Sequence, residues 1–304
     1  MGVLRQRLES EGLLDNTVII FIGDHGRCQV RGKQWCYDSG LGIPLIIRWP
    51  QKFLPAVRDD LVTAIDITYA VLKLAGVEPP NHFQGRDFLD FTAKQHEYVF
   101  GARDRCDETI EIIRTVRDKR FRYIRNYMWF RPYMAANRYK DTSYPIRNLL
   151  RELDAAGKLT PEQKQWMAPQ KPFEELYDIQ TDPDEVRNLA TLPEYQTILS
   201  RMRSAHYDWM YETRDMGLIP EPILEDMGRE YGSKMAVLQE DKNRKMIRQI
   251  VRLIEDGVQG PENSKKMIRA LQDKQDAVRF WAAICLGNFG KAAKESLPAL
   301  ESAL

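Results

Sequence analysis

The chain has 304 residues, enough for one large domain or two to three smaller ones with a core that needs no staples. Its 45 basic and 44 acidic side chains leave a formal net charge of +1, which gives no argument for nucleic acid or an anionic membrane as the main partner. No stretch approaches the roughly 20 apolar residues of a membrane-spanning helix. The N-terminal segment MGVLRQRLESEG also lacks the apolar centre of a signal peptide.

The first hundred residues predict an alternation of helices and strands. Residues 3–13 have helical spacing, and the β-branched run VIIFI (18–22) predicts a strand. A second apolar run, IPLIIRWP (43–50), predicts another strand, and both are expected to be covered on both faces. Residues 66–76 predict an amphipathic helix closed by its final glycine. The order helix, strand, loop, strand, helix indicates part of an α/β sheet.

The pattern changes near residue 95 and again near residue 240. Short alternating segments from 97 to 127 predict an antiparallel sheet with one exposed face. Residues 160–167 and 193–215 predict helices, the first capped by Thr160, and ELYDIQTDPDEVRNLA (175–190) predicts one more strand and a turn. Beyond residue 240, apolar residues at helical spacing predict packed helices.

The chemistry-bearing residues follow the first apolar strand, where VIIFIG ends in Asp24, His25 and Gly26. A buried carboxylate without a partner costs several kcal/mol, so some group is expected to compensate this pair. Loops at the carboxyl ends of strands build ligand sites in open α/β sheets, and an adjacent Asp and His can both reach one divalent cation. The basic residues Arg27, Arg31 and Lys33 lie in the same loop, which suits a substrate with a phosphate or sulfate group.

A plainer interpretation remains open at this point. An Asp-His pair after a strand can simply cap a turn, and three basic residues in a short loop can form a solvated surface. The four cysteines have no CxxC spacing and no paired histidines, so scattered reduced thiols are favoured over a disulfide between Cys28 and Cys36. The three other histidines, His82, His96 and His206, have no partner pattern and are interpreted as structural or surface residues.

Several segments, taken in order, resemble the sulfatases of the alkaline phosphatase superfamily. In that family an apolar strand ends in Asp-Asn-Gly or Asp-His-Gly, and a basic residue, a glycine turn and a Pro-Leu-Ile strand follow. The matching segments of this chain are IGDHG (22–26), Lys33, YDSGLG (37–42), IPLIIRWP (43–50), TAIDITYAVLKLAGVEPP (63–80), FQGRDFLD (83–90), VRDKRFRYIRNY (116–127) and ELYDIQTDPDEVRNLA (175–190). The resemblance extends over residues 1 to about 216.

The resemblance implies roles for individual residues. Asp24 and His25 would be metal ligands, and Lys33 would contact the sulfate oxygens, with Arg27 as a further substrate-binding residue. Calcium is the common metal of the family, but it prefers oxygen ligands, so His25 leaves magnesium, manganese or zinc open.

The family's nucleophile is a formylglycine made from Cys or Ser in a Cys/Ser-x-Pro-x-Arg motif that precedes the metal motif. None of the four cysteines fits it, and the resemblance implies that this segment lies outside the chain. Ser143-Tyr-Pro-Ile-Arg147 matches the pattern literally. It follows the metal motif and lacks the usual continuation, so Ser143 is disfavoured as the nucleophile and is assigned to a loop entering a helix.

The segment GARDRCDE (101–108) supplies two further candidates. Loops of the smaller sulfatase subdomain can overhang the substrate pocket, so Arg103 and Asp104 are candidate substrate contacts. A surface ion-pair cluster is the alternative interpretation.

The last segment, from DAVRFWAAICLGNFG onward, is similar to a HEAT-type repeat. One such repeat cannot bury its own faces. We therefore expect an α/β fold with a partial alkaline-phosphatase-like catalytic sheet (1–94), a small antiparallel α+β C-terminal subdomain (95–220) and an α-helical HEAT-like segment (221–304).

The function implied by the resemblance is the metal-dependent hydrolysis of sulfate esters on a sulfated small molecule or glycan. The alternatives are a phosphodiesterase or phosphonate monoester hydrolase of the same superfamily, and a non-catalytic scaffold with a vestigial sulfatase core. A protein partner of the HEAT-like segment is a further expectation, nucleic acid is not expected, and the family implies a periplasmic or extracellular location.

Overall fold

A computed structural model of the chain describes residues 2–303. The chain divides into two compact units. The first comprises Met1–Gly101, Val116–Arg122 and Leu176–Leu189. The second comprises Ala102–Thr115, Tyr123–Glu175 and Ala190–Leu304. The division into domains at residues 94 and 220 stays a prediction.

The N-terminal part of the chain contains the helices and strands that the sequence predicts, with one additional short helix in the predicted loop between the two strands. They are α1 (Gly2–Ser10), β1 (Ile19–Ile22), α2 (Asp38–Leu41), β2 (Leu45–Arg48) and α3 (Ala64–Leu74). A capping box between Thr63 and Asp66 begins α3. Gly76, with a φ of +71°, ends it, because a left-handed residue there costs glycine little.

Strands β1 and β2 form a two-stranded antiparallel ladder in which Ile22 lies opposite Leu45. The prediction that both strands are covered on both faces is wrong for the described residues. Phe21, Ile22 and Ile46 are 40%, 43% and 62% exposed. The physical reason is that a ladder of only two strands leaves both edges open and covers neither face completely.

A second sheet contains four strands in the order β3-β4-β5-β6. They are β3 (Val99–Cys106), β4 (Thr109–Arg117), β5 (Phe121–Asn126) and β6 (Glu174–Asp178). The connections between β3 and β4 and between β4 and β5 are two and three residues long, so these neighbours are antiparallel, as predicted. The expected exposed face is found on β3 alone, because every residue of β5 is buried. Its polar residues suggest a solvent-facing side in sequence, but they are buried in ion pairs and hydrogen bonds.

Three helices lie between β5 and β6 in the sequence, and three follow β6 before the C-terminal region. They are α4 (Arg138–Ser143), α5 (Pro145–Ala155), α6 (Pro161–Trp166), α7 (Gln196–Glu212), α8 (Glu221–Glu230) and α9 (Lys234–Val237). The predicted cap of α6 is confirmed, since Thr160 Oγ1 accepts a hydrogen bond from the Gln163 N–H at 3.3 Å. Helix α5 is the helix expected after Ser143, whereas α4, α8 and α9 are additions to the predicted elements.

The C-terminal region is helical, as predicted. It contains α10 (Asp241–Gln259), α11 (Ser264–Ala270), α12 (Asp276–Phe289) and α13 (Leu297–Glu301). Helices α10 and α12 approach so closely that a Cβ on Gly257 would lie 2.5 Å from Cys285 Sγ. Trp281 is fully buried on α12, and its indole N–H donates to the Leu218 carbonyl at 2.7 Å.

These helices share one hydrophobic core with preceding residues of the second unit. The core contains Ile250, Ile254 and Trp281 of the helical segment together with Ile112 of β4 and Met210 of α7. A single HEAT-like segment therefore buries its apolar face against the preceding part of its own unit. This packing explains how a repeat that cannot bury its own faces is stabilised.

The described residues contain neither a candidate membrane-spanning helix nor a disulfide bond. Among residues 2–303, no helix is both long and apolar enough to cross a membrane. Within the same range none of the four cysteines forms a disulfide, in agreement with the favoured interpretation.

The buried ion pair of Glu111 and Lys171 yields a stability prediction. Lys171 Nζ lies 3.0 Å from Glu111 Oε2 and also donates to the Arg131 carbonyl at 2.6 Å. Burial raises the pKa of Glu111 and lowers the pKa of Lys171, and each pKa is moved back toward its ordinary value by the charge of the other group. Lys171→Met leaves a buried carboxylate without its cation, so we expect the free energy of unfolding to fall by about 3–5 kcal/mol.

Urea denaturation of the purified protein measures this effect. The matched control is Lys164→Met, because the Lys164–Asp154 pair is largely exposed and its loss should change stability far less. The double variant Glu111→Leu, Lys171→Met should recover most of the lost stability. Equal effects of the two single lysine substitutions would contradict the prediction.

The buried histidine of α7 predicts a pH dependence. His206 is fully buried with its Nε2 atom 2.8 Å from the Tyr127 hydroxyl, and burial lowers the pKa of His206 well below its ordinary value of 6.5. Below pH 6.5 the unfolded chain takes up a proton that the folded chain does not, so stability is lost as the pH falls. His206→Gln should remove this loss, which amounts to about 1.4 kcal/mol per pH unit well below the unfolded pKa.

The measurement compares the free energies of unfolding of the two proteins between about pH 5 and 7.5. The difference between the profiles isolates His206, since all other groups titrate in both proteins. Parallel profiles would show that the folded protein binds this proton as readily as the unfolded chain.

Candidate functional site

The loop after β1 is held by backbone contacts to the residues of α2. The Gly26 N–H donates to the Gly40 carbonyl at 2.9 Å, and the Arg27 N–H donates to the Ser39 carbonyl at 2.8 Å. A Cβ on Gly26 would lie 2.1 Å from the Ser39 oxygen, so only glycine fits at this close approach. The glycine that follows Asp24 and His25 therefore lets the chain turn directly against α2.

The Asp24 carboxylate lies at the surface. Its side chain is 87% exposed and that of His25 is 27% exposed, so Asp24 does not bear the desolvation cost that a buried strand end would impose. His25 Nδ1 lies 2.8 Å from the Gly26 carbonyl oxygen. A carbonyl can only accept a hydrogen bond, so this contact requires the proton of a neutral imidazole to be on Nδ1. Nε2 then carries the lone pair, and it lies 3.4 Å from Asp24 Oδ2.

The donor set of this pair suits a divalent cation. Two ligands at about 2.1 Å from one ion and at angles of about 90–110° lie roughly 3.0–3.4 Å apart, which matches the separation of Nε2 and Oδ2. Hydrogen bonding of the second ring nitrogen to a backbone carbonyl is also the usual arrangement of a metal-binding histidine. A protonated imidazole paired with the carboxylate has the same geometry. Among the described residues, no group of three or more His, Cys, Asp or Glu side chains could hold a metal.

The three basic residues of the loop have different environments. The Arg31 guanidinium lies 4.0 Å from the centre of the Tyr37 ring and donates to the Glu185 carbonyl at 2.7 Å, so it has a structural role. Arg27 is exposed and Lys33 is half-buried. The Lys33 N–H donates to the Arg27 carbonyl at 2.7 Å, which brings the backbones of these two residues together.

A buried charged network contacts the start of α2, and none of its residues is a candidate in the sequence. Arg122 Nε lies 2.6 Å from Glu185 Oε1, and both side chains are almost fully buried. Arg122 also donates to Asp38 Oδ1 at 2.7 Å, and the backbone N–H of Asp38 donates to Glu185 Oε2 at 2.6 Å. Burial raises the pKa of Glu185, and the positive charge of Arg122 opposes the rise.

This network fixes the start of α2 and hence the carbonyls to which the Asp24-His25 turn is bonded. The nearest signal in the sequence is Thr181-Asp-Pro-Asp, which predicts only a tight turn and ends one residue before Glu185. Glu185 adopts a φ of +54°, a conformation that a sequence pattern does not reveal.

A second carboxylate of the first unit is buried and fully satisfied. Asp66 accepts hydrogen bonds from the N–H groups of Thr63 and Arg86, both at 2.8 Å. The Nε2 atom of His96 lies 3.0 Å from each of its carboxylate oxygens. This arrangement agrees with a structural role for His96, because its ring contacts a buried carboxylate that also begins α3 through the capping box.

Arg103 and Asp104 lie in the second compact unit. Asp104 Oδ1 is 2.7 Å from Arg114 Nη1, and Arg114 also forms two hydrogen bonds with Asp215, one of them 2.8 Å long. The main-chain carbonyl of Arg103 accepts a further hydrogen bond from Arg114 at 3.2 Å. Arg114 is buried, so this part of β3 takes part in a structural ion-pair cluster. A substrate contact of Arg103 or Asp104 stays a prediction.

Ser143 is the last residue of α4 and is exposed. Pro145 begins α5 two residues later, so a helix follows Ser143 as predicted, but Ser143 itself ends α4 and does not lie in a loop. No ligand-binding group is assigned to it.

Comparisons with known proteins agree with this organisation. The sulfatase family model matches residues 1–77, and the HEAT-repeat model matches residues 235–304. An ulvan-active sulfatase of Formosa agariphila is 42% identical over 226 residues, which cover 74% of this chain and 38% of that relative. A second ulvan-active sulfatase of the same organism is 31% identical over 227 residues, 71% of this chain and 42% of that relative.

Among solved structures, the phosphonate monoester hydrolase of Silicibacter pomeroyi has a TM-score of 0.50 and 20% identity. The match covers 71% of this chain and 39% of that structure and concerns the fold alone. The chain spans about two fifths of the length of these relatives. It belongs to the sulfatase family of the alkaline phosphatase superfamily and carries a HEAT-repeat segment in its C-terminal region.

Proposed function

We propose that this chain is part of a sulfuric ester hydrolase that acts on sulfated glycans and that Asp24 and His25 bind its divalent metal. The glycan substrate is suggested by the ulvan-active relative. Family resemblance further suggests a periplasmic or extracellular location. Calcium is the first candidate metal, with magnesium, manganese and zinc as alternatives because one donor is an imidazole nitrogen.

One observation carries the proposal. His25 Nδ1 lies 2.8 Å from the Gly26 carbonyl oxygen, so the neutral imidazole has its lone pair on Nε2, and Nε2 lies 3.4 Å from the exposed Asp24 carboxylate. Two electron-rich atoms facing each other are stabilised by a positive charge between them. A divalent cation supplies that charge. Its binding would also account for the placement of these two donor atoms side by side in an exposed loop.

The chain's own residues support sulfate ester hydrolysis in distinct ways. The cation, when bound, supplies positive charge to the sulfate oxygens. Lys33 and Arg27 belong to the same loop and donate to the remaining sulfate oxygens, whose negative charge they stabilise as the S–O bond breaks. The backbone bonds to Ser39 and Gly40 hold this loop in place, so its donors are positioned before substrate binds. The nucleophile is assigned to the formylglycine segment of the complete enzyme and not to Ser143.

A phosphonate monoester hydrolase or phosphodiesterase is the second candidate. The fold of the chain also resembles the Silicibacter hydrolase, and the same loop suits a phosphoryl oxygen. A divalent cation with two basic side chains stabilises either anion, so the reaction class depends on measured preference.

The first test measures that preference in the complete protein expressed from its own open reading frame. We expect faster turnover of 4-nitrophenyl sulfate than of bis(4-nitrophenyl) phosphate or 4-nitrophenyl phenylphosphonate, and release of sulfate from ulvan. A preference for either phosphorus ester would replace the proposal by the second candidate. Absence of hydrolysis from all four substrates would favour the non-catalytic scaffold.

The second test concerns the metal ligands. In the same complete protein, Asp24→Ala and His25→Ala should each lower bound metal per chain and reduce kcat/KM on 4-nitrophenyl sulfate by at least about 100-fold. The matched control is His82→Ala, which removes an exposed histidine of the same unit. Metal content by plasma mass spectrometry gives a readout separate from activity. Unchanged metal and turnover in both loop variants would refute the assignment.

A further inference from the structure

A groove of about 610 Å³ lies between α10 and α11 in the HEAT-like segment, within the second compact unit. Five basic residues line it, and all five are exposed: Lys245, Arg248, Arg252, Lys266 and Arg269. Lys245, Arg248 and Arg252 follow one another at spacings of three and four residues, so they lie on one face of α10. They extend over about 10 Å along the helix axis.

The two acidic residues of the groove are already engaged. Asp256 Oδ1 lies 2.6 Å from Lys266 Nζ. Asp273 Oδ2 accepts a hydrogen bond from the Gln249 side chain at 2.7 Å. Five cations and two carboxylates leave an excess of three positive charges in the groove, whereas the whole chain carries a formal charge of only +1.

Arg248 is positioned by an aromatic ring and not by a carboxylate. Its guanidinium carbon lies 3.9 Å from the centre of the Tyr211 ring, and Tyr211 in turn stacks on Tyr207 with 6.0 Å between ring centres. Stacking uses the face of the guanidinium and leaves its in-plane N–H groups available for an anion. Among residues 2–303, no carboxylate lies within 4.0 Å of the charged groups of Lys245, Arg248 or Arg252.

We propose that this groove, here called the α10–α11 groove, binds the sulfate groups of a polysaccharide chain. The inference rests on the proposed function, because it assigns the enzyme's polymeric substrate a second contact outside the Asp24-His25 loop. A row of exposed cations suits an anion that repeats along a polymer. Such a site raises the local concentration of polymer without taking part in bond cleavage.

A sulfated glycan fits the groove better than a nucleic acid does. Single-stranded nucleic acids are held by basic grooves with aromatic side chains on which bases stack. The lining of this groove includes no aromatic residue, and the face of the Tyr211 ring near it is covered by Arg248. Planar guanidinium groups instead match sulfate oxygens in pairs.

The test measures binding of the complete protein to immobilised dextran sulfate, with uncharged dextran as the matched polymer, and to ulvan. The triple variant Lys245→Gln, Arg248→Gln, Arg252→Gln should bind dextran sulfate and ulvan about tenfold more weakly, with a reduced dependence of affinity on salt. The control triple variant is Lys274→Gln, Lys291→Gln, Lys294→Gln, which removes the same charge from exposed positions of the same unit outside the groove. Its affinity should change less than twofold.

Thermal unfolding midpoints of the wild type and both variants verify that they fold, and Arg252→Gln alone serves if the groove triple variant does not. Turnover of 4-nitrophenyl sulfate should be unchanged in the groove variants, since the groove is proposed to hold the polymer and to take no part in bond cleavage. Groove-dependent binding in a protein without sulfatase turnover would refute the proposed function and leave the groove assignment standing.

Three outcomes would overturn the groove assignment. They are equal weakening by both triple variants, equal binding of dextran and dextran sulfate, and tighter binding of single-stranded DNA or poly-glutamate than of dextran sulfate. Tighter DNA binding would identify a nucleic-acid groove, and tighter poly-glutamate binding an acidic protein partner.

Discussion

The ion pair between Arg122 and Glu185 is the interaction on which the candidate site depends. Both groups are almost fully buried. Arg122 donates a hydrogen bond to the Asp38 side chain, and Glu185 accepts one from the Asp38 backbone N–H. Removing one member would leave a buried charge without its partner, which is more costly than never forming the pair. The network therefore fixes the first turn of α2. Through the carbonyls of Ser39 and Gly40, α2 holds the turn that presents Asp24 and His25.

The second unit uses buried charge in a similar way around an apolar core. Arg114 lies between Asp104 and Asp215, and a Cβ on Gly217 would come within 1.8 Å of its guanidinium. The glycine thus provides the space that the guanidinium occupies. The same unit buries Trp281, whose indole is bonded to the Leu218 carbonyl, so the HEAT-repeat helices are joined to the preceding segment by packing and by a specific hydrogen bond. This continuity explains how a single HEAT-like segment is stabilised.

The sequence predicted the elements with local signals well. Thr160 and Pro161 mark the start of α6, Gly76 marks the end of α3, and the short connections of the β3-β4-β5 meander follow from turn residues. Burial was predicted less well. The apolar run of β1 was expected to be covered on both faces and is partly exposed, whereas the alternating polar residues of β5 are all buried. Alternation reports which side chains share a face of a strand, but what covers that face depends on segments distant in sequence.

For the candidate site, the sequence by itself determined the residue types and their adjacency: an aspartate, a histidine and a glycine after an apolar strand, with basic residues behind them. Their order and the segments that follow were enough to indicate the family. Only the tertiary structure decided that Arg31 has a structural role, that the Nε2 atom of His25 faces the Asp24 carboxylate, and that Glu185 supports the loop. The physical reason is that hydrogen bonds and ion pairs join groups up to 154 residues apart, and such pairings arise from packing and not from local propensity.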